Sequence, residues 1–190
     1  IKKEINLLND YGGFNKVLLS ETGMPSINRI NGEQGQAETI LKILIVLNNE
    51  NINNKIIYNF RDIKDQKDEY AKDYYESNYG IVNYYFEEKK AILCLRNYEK
   101  NFSNSKFIGQ ITRDNLLINI YDKDGKPKII AWATDTNNPV TIDYSGFKAS
   151  DLYGKEIENT NGKLEITTSP VYIDNVSTKN FYQAISNSIT

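Results

Sequence analysis

The sequence predicts an α/β part followed by an all-β part, and three observations carry that reading. Residues 1 to about 107 hold long apolar patterns of helical and buried-strand period. From about 108 to 176 the pattern changes to short alternating runs separated by the turn signals Asp124-Gly125, Asn137-Asn138-Pro139, Tyr153-Gly154 and Asn161-Gly162. Within the first part, helix and strand patterns alternate, which is the arrangement of a parallel sheet.

Taken in order, the α/β part opens on a short amphipathic stretch with Ile5, Leu7 and Leu8, ended by Tyr11-Gly12-Gly13. Lys16 to Glu21 reads as a short buried strand, followed by the loop Thr22-Gly23-Met24-Pro25. Asn31, with Gln34 three residues on, has the pattern of a capping box. From Glu33 to about Asn49, Ala37, Ile40, Leu41, Leu44 and Leu47 keep helical spacing. Ile43, Ile45 and Val46 broaden that stripe, so most of this helix is expected to be buried. Lys55 to Phe60 is a second buried strand, ending in Arg61-Asp62. Residues 63 to 88 form a long polar and aromatic connection with room for a short helix, and Lys89 to about Asn101 is a further helix with Ala91, Ile92, Leu95 and Tyr98 on one face. Two strands buried on both faces cannot form a sheet alone; this part needs neighbouring strands.

The β part, 108 to 176, begins with a hairpin candidate. Leu116, Ile118 and Ile120 alternate with Leu117, Asn119 and Tyr121; Asp122 to Gly125 supplies a turn; Ile129, Ala131 and Ala133 alternate with Ile130 and Trp132. Val140–Tyr144, Ala149–Tyr153, Lys163–Thr167 and Val171–Ile173 supply further short strands, enough for a small antiparallel sandwich. The tail from 177 to 190, with Phe181, Tyr182, Ile185 and Ile189, reads either as a short helix or as a frayed end.

Composition removes several chemistries. There are 190 residues, fewer than the roughly 250 of a complete (β/α)8 barrel. Lys and Arg number 23 against 25 Asp and Glu, a net charge of −2, so no basic field points to nucleic acid. Histidine is absent, which excludes His-based triads and bases. Cys94 is the sole cysteine, so neither an intrachain disulfide nor a multi-cysteine zinc site can form. No apolar run reaches the 18 residues of a membrane span. The chemistry left belongs to carboxylates, hydroxyls, Lys or Arg. No phosphate-binding or dinucleotide-binding glycine loop is present, and Asp122, Asp124 and Gly125 lack the spacing of a calcium loop.

Glu21 is the candidate catalytic residue. It ends a strand and precedes Thr22-Gly23, and in parallel α/β folds sites form at the carboxyl ends of strands. The alternative is an ion pair with Arg29 or Arg61. Arg61 and Asp62, at the end of the second strand, are candidates for holding a substrate or a neighbouring carboxylate, against the alternative of an ion pair that anchors a loop. Tyr58 and Phe60 alternate on that strand and read as core or as an aromatic wall. The loop aromatics Tyr70, Tyr74, Tyr75, Tyr79, Tyr84, Tyr85 and Phe86 suit stacking on sugar faces or packing of loops. Trp132 reads as sandwich core, with a ligand platform as the alternative.

Lys16-Val17-Leu18-Leu19-Ser20-Glu21-Thr22-Gly23 resembles the seventh barrel strand of the large clan A type group of retaining glycoside hydrolases with (β/α)8 catalytic domains. Glu33 to Ala37 is similar to the start of the seventh helix, and Ile56 to Asp62 to the eighth strand. Asn78-Tyr79-Gly80-Ile81-Val82 resembles the segment before the last helix, whose usual Lys-Pro-Ala start is replaced here by Glu88-Lys89-Lys90-Ala91. Lys128–Trp132, Asp151–Gly154 and Ser169–Ile173 are similar to strands of the accessory sandwich of several such families.

The resemblance implies a partial (β/α)8 barrel, strands 7 and 8 with their helices, followed by a small antiparallel β-sandwich. It implies Glu21 as nucleophile, Tyr58, Arg61 and Asp62 as substrate-binding residues, and no metal or cofactor. The acid/base partner, the Glu of an Asn-Glu pair on the fourth strand, has no counterpart here, since Asn49-Glu50 falls at a helix end. The expectation is therefore the C-terminal fragment of a glycosidase acting on β-linked glycans, inactive by itself. It would be completed by the N-terminal part of the barrel or by a second chain covering the open sheet edges. The other reading is a non-catalytic carbohydrate-binding or structural module. No nucleic-acid or membrane partner is expected. The location expected is secreted or cell-surface, with the cytoplasm as the alternative.

Overall fold

The computed structural model describes residues 18–52, 54–65, 74–144, 146–158 and 161–175, together with 177 and 179. The expected opening amphipathic stretch and the expected tail helix lie outside the described residues, as do Lys16, Val17 and Tyr70. Contacts divide the chain into two compact units, Ile1–Ile92 and Leu93–Thr190.

The first unit contains a parallel pair, β1 (Leu18–Thr22) and β2 (Asn54–Ile57), joined by helix α1 (Gly32–Asn49). This is the expected β-α-β order. The capping box does not form. Asn31 is left-handed (φ 67°), ends the 3-10 turn Asn28–Ile30 and makes no side-chain cap bond, while Gln34 Nε2 donates to Glu38 Oε1. The helix buries Gln36, Ala37, Ile40, Leu41, Leu44, Ile45 and Leu47, whereas Val46 is exposed. It ends where Asn51 turns left-handed (φ 58°) and Ile52 N–H donates to Leu47 C=O, a six-to-one closure.

Neither strand is buried as expected. Leu18 is 62% exposed and Ile56 56%. Leu19, Thr22, Lys55 and Ile57 are half-buried, and Thr22, Gly23 and Ile57 line a small apolar space with Ile40, Ile43 and Leu44 of α1. The helix covers one face of the pair, and within this unit the other face meets solvent. β2 also stops short of Phe60, at Ile57. Between Asp65 and Tyr84 the described connection contains a 3-10 turn, Tyr75–Ser77.

Helix α2 (Lys90–Phe102) buries Ala91, Cys94, Tyr98 and Phe102, a stripe rotated from the expected face, with Leu95 half-buried. The second unit is otherwise antiparallel. One sheet has the order β3 (Lys106–Arg113), β4 (Leu116–Lys123), β5 (Lys126–Ala133), β9 (Val171–Asp174), β7 (Lys148–Ser150), and β6 (Val140–Asp143) pairs with β8 (Lys163–Ile166). The predicted β4–β5 hairpin closes through Asp124 (φ 56°) and Gly125 (φ 75°), both left-handed as a type I′ turn requires. Asp122 Oδ1 accepts from Gly125 N–H.

Strand β3 has no counterpart in the sequence reading. It is an edge strand with no fully buried residue; Phe107, Gly109 and Ile111 take its half-buried positions, and glycine leaves one of them without an apolar side chain. The strand expected over Ala149–Tyr153 ends at Ser150, because Asp151 Oδ1 accepts the N–H groups of Tyr153 and Lys155 and turns the chain.

One face of the larger sheet, with Ile118, Ile129, Ala131 and Ile173, packs against Ile142, Leu164 and Ile166 of the two-stranded sheet. The opposite face, by strand alternation, carries Asn119, Tyr121, Ile130, Trp132 and Tyr172. Phe102 of α2 packs on Tyr121 and Tyr172 at 5.0 and 5.4 Å between ring centroids. Trp132 is thus buried, but on the face away from the two-sheet core where it was expected.

Two predictions follow from these cores. Ile142→Ala removes the side chain that joins the two sheets and should cost about 2–5 kcal/mol, read from urea unfolding of the second unit. The hydroxyl of Tyr172 is buried with no hydrogen-bond partner among the described residues, and burial pushes its pKa upward. Above the unfolded tyrosine value near 10 the native state then holds more protons than the unfolded state, so stability falls as pH rises further. Tyr172→Phe should leave stability at pH 7 unchanged or raised by about 1 kcal/mol and should shrink that alkaline loss. Unfolding curves at pH 7 and 10.5 test both.

Candidate functional site

Glu21 lies one residue from the end of β1. Leu18 and Leu19 pair with Asn54 and Lys55 in regular register, but the next pair is Thr22 with Ile57. Three residues of β1 therefore span two of β2, a bulge at Ser20-Glu21. The extra residue breaks the alternation, and both Ser20 and Glu21 are exposed. The Glu21 carboxylate makes no ion pair with Arg29 or Arg61 among the described residues, so the alternative ion-pair reading of Glu21 does not hold there.

The strand end is held close to β2. Tyr58 N–H donates to Thr22 C=O at 2.7 Å. A Cβ on Gly23 would lie 1.8 Å from the Tyr58 carbonyl oxygen, so only glycine permits this approach. Tyr58, half-buried, meets Tyr79 edge to face at 5.5 Å. The Tyr79 phenol is pushed up from its ordinary value, first by burial and then by Glu76, Tyr58, Tyr75 and Glu21. It stays protonated at neutral pH and can donate a hydrogen bond. Phe60 is 60% exposed, which removes it from the core reading.

Asp62 sits beneath this surface, fully buried. Lys89 Nζ donates to both carboxylate oxygens at 2.9 and 3.0 Å, and Gly80 N–H donates to Oδ1 at 2.9 Å. Of the two readings, loop anchor and substrate ligand, the geometry carries the anchor. The Lys89 pKa is lowered, chiefly because burial strips water from the ammonium, against the opposing bond and charge of Asp62. Gln36 of α1 adds to the node: Nε2 donates to Met24 C=O at 2.8 Å and Gly80 C=O at 3.0 Å. Sequence reading missed Gln36 and Lys89. A polar residue inside an apolar helical stripe was the available signal for Gln36.

Arg61 forms a parallel bridge with Val82 and rests its guanidinium over Phe86 at 4.6 Å and Tyr84 at 5.3 Å. The chain thus brings Tyr58 and Tyr79 together at the strand ends, sets Arg61 against the 84–86 aromatics and buries Asp62. An exposed carboxylate at the carboxyl end of a strand, as Glu21 is, can act as nucleophile or base toward a bound polyol.

No known protein-family model and no curated protein matches the chain. Solved structures do. A family 39 glycoside hydrolase from the gut symbiont Bacteroides cellulosilyticus WH2 is similar with a TM-score of 0.72 and 19% identity, over 92% of this chain and 36% of that one. A GH30 endoxylanase from Clostridium papyrosolvens C71 is similar with a TM-score of 0.51 and 14% identity, over 90% of this chain and 45% of that one. The likeness is one of fold: a mixed α/β chain with several sheets, with no closed barrel among the described residues. The chain spans less than half the length of either structure. Among the described residues no helix is long and apolar enough to cross a membrane.

The Gly80–Asp62–Lys89 node is testable. Lys89→Met leaves the Asp62 carboxylate buried without its cation and should destabilise the first unit by about 3–5 kcal/mol. Asp62→Asn together with Lys89→Met removes both charges and should recover part of that loss. Chemical denaturation of the single and double variants measures the difference.

Proposed function

We propose that this chain is the C-terminal part of a retaining glycoside hydrolase acting on β-linked glycans, with Glu21 as its nucleophile. One observation supports this above the rest: the bulge at Ser20-Glu21 lifts a carboxylate, free of Arg29 and Arg61, onto the carboxyl end of a parallel strand pair. The fold likeness to two glycoside hydrolases agrees with it.

In this reading Leu18–Thr22 and Asn54–Ile57 are the last two barrel strands. Glu21 attacks the anomeric carbon, the bond to the leaving oxygen breaks, and a glycosyl-enzyme ester forms. A second carboxylic acid, about 5–5.5 Å from Glu21, protonates the departing oxygen and then draws a proton from the water that cleaves the ester. That acid comes from the N-terminal part of the barrel or from a second chain covering the exposed strands. Tyr58 walls the sugar, Tyr79 donates to Glu21 or to a hydroxyl, Arg61 borders the site, and Asp62 acts through Gly80 and Lys89 as a positioning residue rather than a ligand. Xylan is the first glycan to offer, since one similar structure is an endoxylanase.

A non-catalytic carbohydrate-binding module is the second reading, favoured by the exposed aromatics at 84 to 86. Complementation separates the two. The chain alone should show no turnover of aryl β-glycosides. With the N-terminal barrel supplied, turnover should appear and fall by about 10³-fold or more on Glu21→Gln, since the covalent step is lost. A 2-fluoro glycoside should leave its mass on the peptide carrying Glu21. Turnover that survives Glu21→Gln, or no turnover in the completed protein, overturns the nucleophile assignment.

A further inference from the structure

Surface turns are ordinarily built from small polar residues, yet the turn before α2 carries Tyr84, Tyr85 and Phe86 in succession, 39%, 54% and 61% exposed. The rings are not left loose. Asn83 Oδ1 accepts the N–H groups of Tyr85 and Glu87, both at 2.9 Å. Asn83 N–H donates to Glu87 C=O at 2.8 Å, its Nδ2 donates to Glu87 Oε2 at 2.6 Å, and Phe86 N–H donates back to Asn83 C=O at 3.1 Å. Phe86 itself sits at φ 66°, a conformation an exposed phenylalanine adopts only where its surroundings impose it. Arg61 takes one face of Phe86 and of Tyr84, Tyr84 meets Tyr85 edge to face at 5.4 Å, and the Tyr85 hydroxyl bonds Asp65.

Other large apolar residues of this unit are exposed too, Leu18 and Ile56 on the strands, Phe60 and Ile63 beyond β2, and Tyr74 and Tyr75, but the three rings of the turn follow one another in sequence and are bordered by Asn83, Arg61, Asp65 and Glu87. Aliphatic strand faces suit another protein segment. Fixed ring faces bordered by amide, guanidinium and carboxylate groups suit a pyranose, which offers an apolar C–H face and a rim of hydroxyls.

We propose that the Tyr84–Phe86 turn is a stacking platform for a pyranose unit of a glycan, with Phe86 as its principal ring and Asn83 and Arg61 as positioning residues. The proposal rests on the glycan-directed reading above and adds a binding subsite to it.

The test is saturation-transfer NMR and titration of the full chain with xylohexaose and cellohexaose at millimolar concentration. One of the two should bind, with transfer to its C–H protons. Phe86→Leu keeps an apolar side chain and should weaken binding about three- to tenfold, Phe86→Trp should retain it, and Asn83→Ala should weaken it while leaving every ring in the sequence. Circular dichroism of each variant checks that the fold is kept. Binding unchanged in both Phe86→Leu and Asn83→Ala overturns the platform and leaves the glycosidase reading standing. No binding of either sugar by the unaltered chain also overturns it. The glycosidase reading then stands or falls separately, on Glu21-dependent turnover in the completed protein.

Discussion

The first unit is organised around one buried contact. Asp62 and Lys89 leave water together, and Gly80 N–H adds a further hydrogen bond to the carboxylate. The desolvation of two charges is offset only if every remaining lone pair and proton is used, and here both carboxylate oxygens are. The geometry also demands glycine at 80: a Cβ there would stand 2.1 Å from Asp62 N and 2.5 Å from Val82 C=O. Gln36 grips the other side of Gly80 through its carbonyl. One residue without a side chain is thus clamped by a helix amide, a strand-end carboxylate and the lysine just ahead of α2.

The site above inherits its shape from that clamp. With 78–82 fixed, Ile81 and Val82 N–H groups donate to Phe60 C=O and Asn59 N–H donates to Tyr79 C=O, so the segment runs beside the end of β2. Tyr79 is thereby carried to Tyr58, and Gly23 lets the end of β1 close on the same spot. The bulge at Ser20-Glu21 then turns a carboxylate outward. Charge is separated by depth: Asp62 and Lys89 are buried and paired, whereas Glu21, the carboxylate proposed as nucleophile, is on the surface.

Much of this was legible one residue at a time. The helix stripe of α1 followed from its spacing, and the β4–β5 hairpin followed from Asp124-Gly125, since few residue pairs accept two successive left-handed conformations. The end of β1 was readable because an apolar run closes at Glu21 before Thr22-Gly23. What failed failed for physical reasons. Asn31 has a cap residue's chemistry, but the preceding 3-10 turn claimed its backbone. The larger sheet's edge strand β3 buries nothing completely, so its pattern is diluted. Asp62 looked like a rim residue because sequence cannot tell which way a strand-end side chain turns.

The sequence by itself determined the β-α-β order of the first part and the β4–β5 hairpin of the second, and it excluded histidine chemistry, because period, turn residues and the absence of histidine are local properties. Only the tertiary structure decided which carboxylate is buried and which is displayed. That choice depends on Lys89, 27 residues from Asp62, and on a register shift between two strands. Pairing across such separations is a property of packing, and no local pattern encodes it.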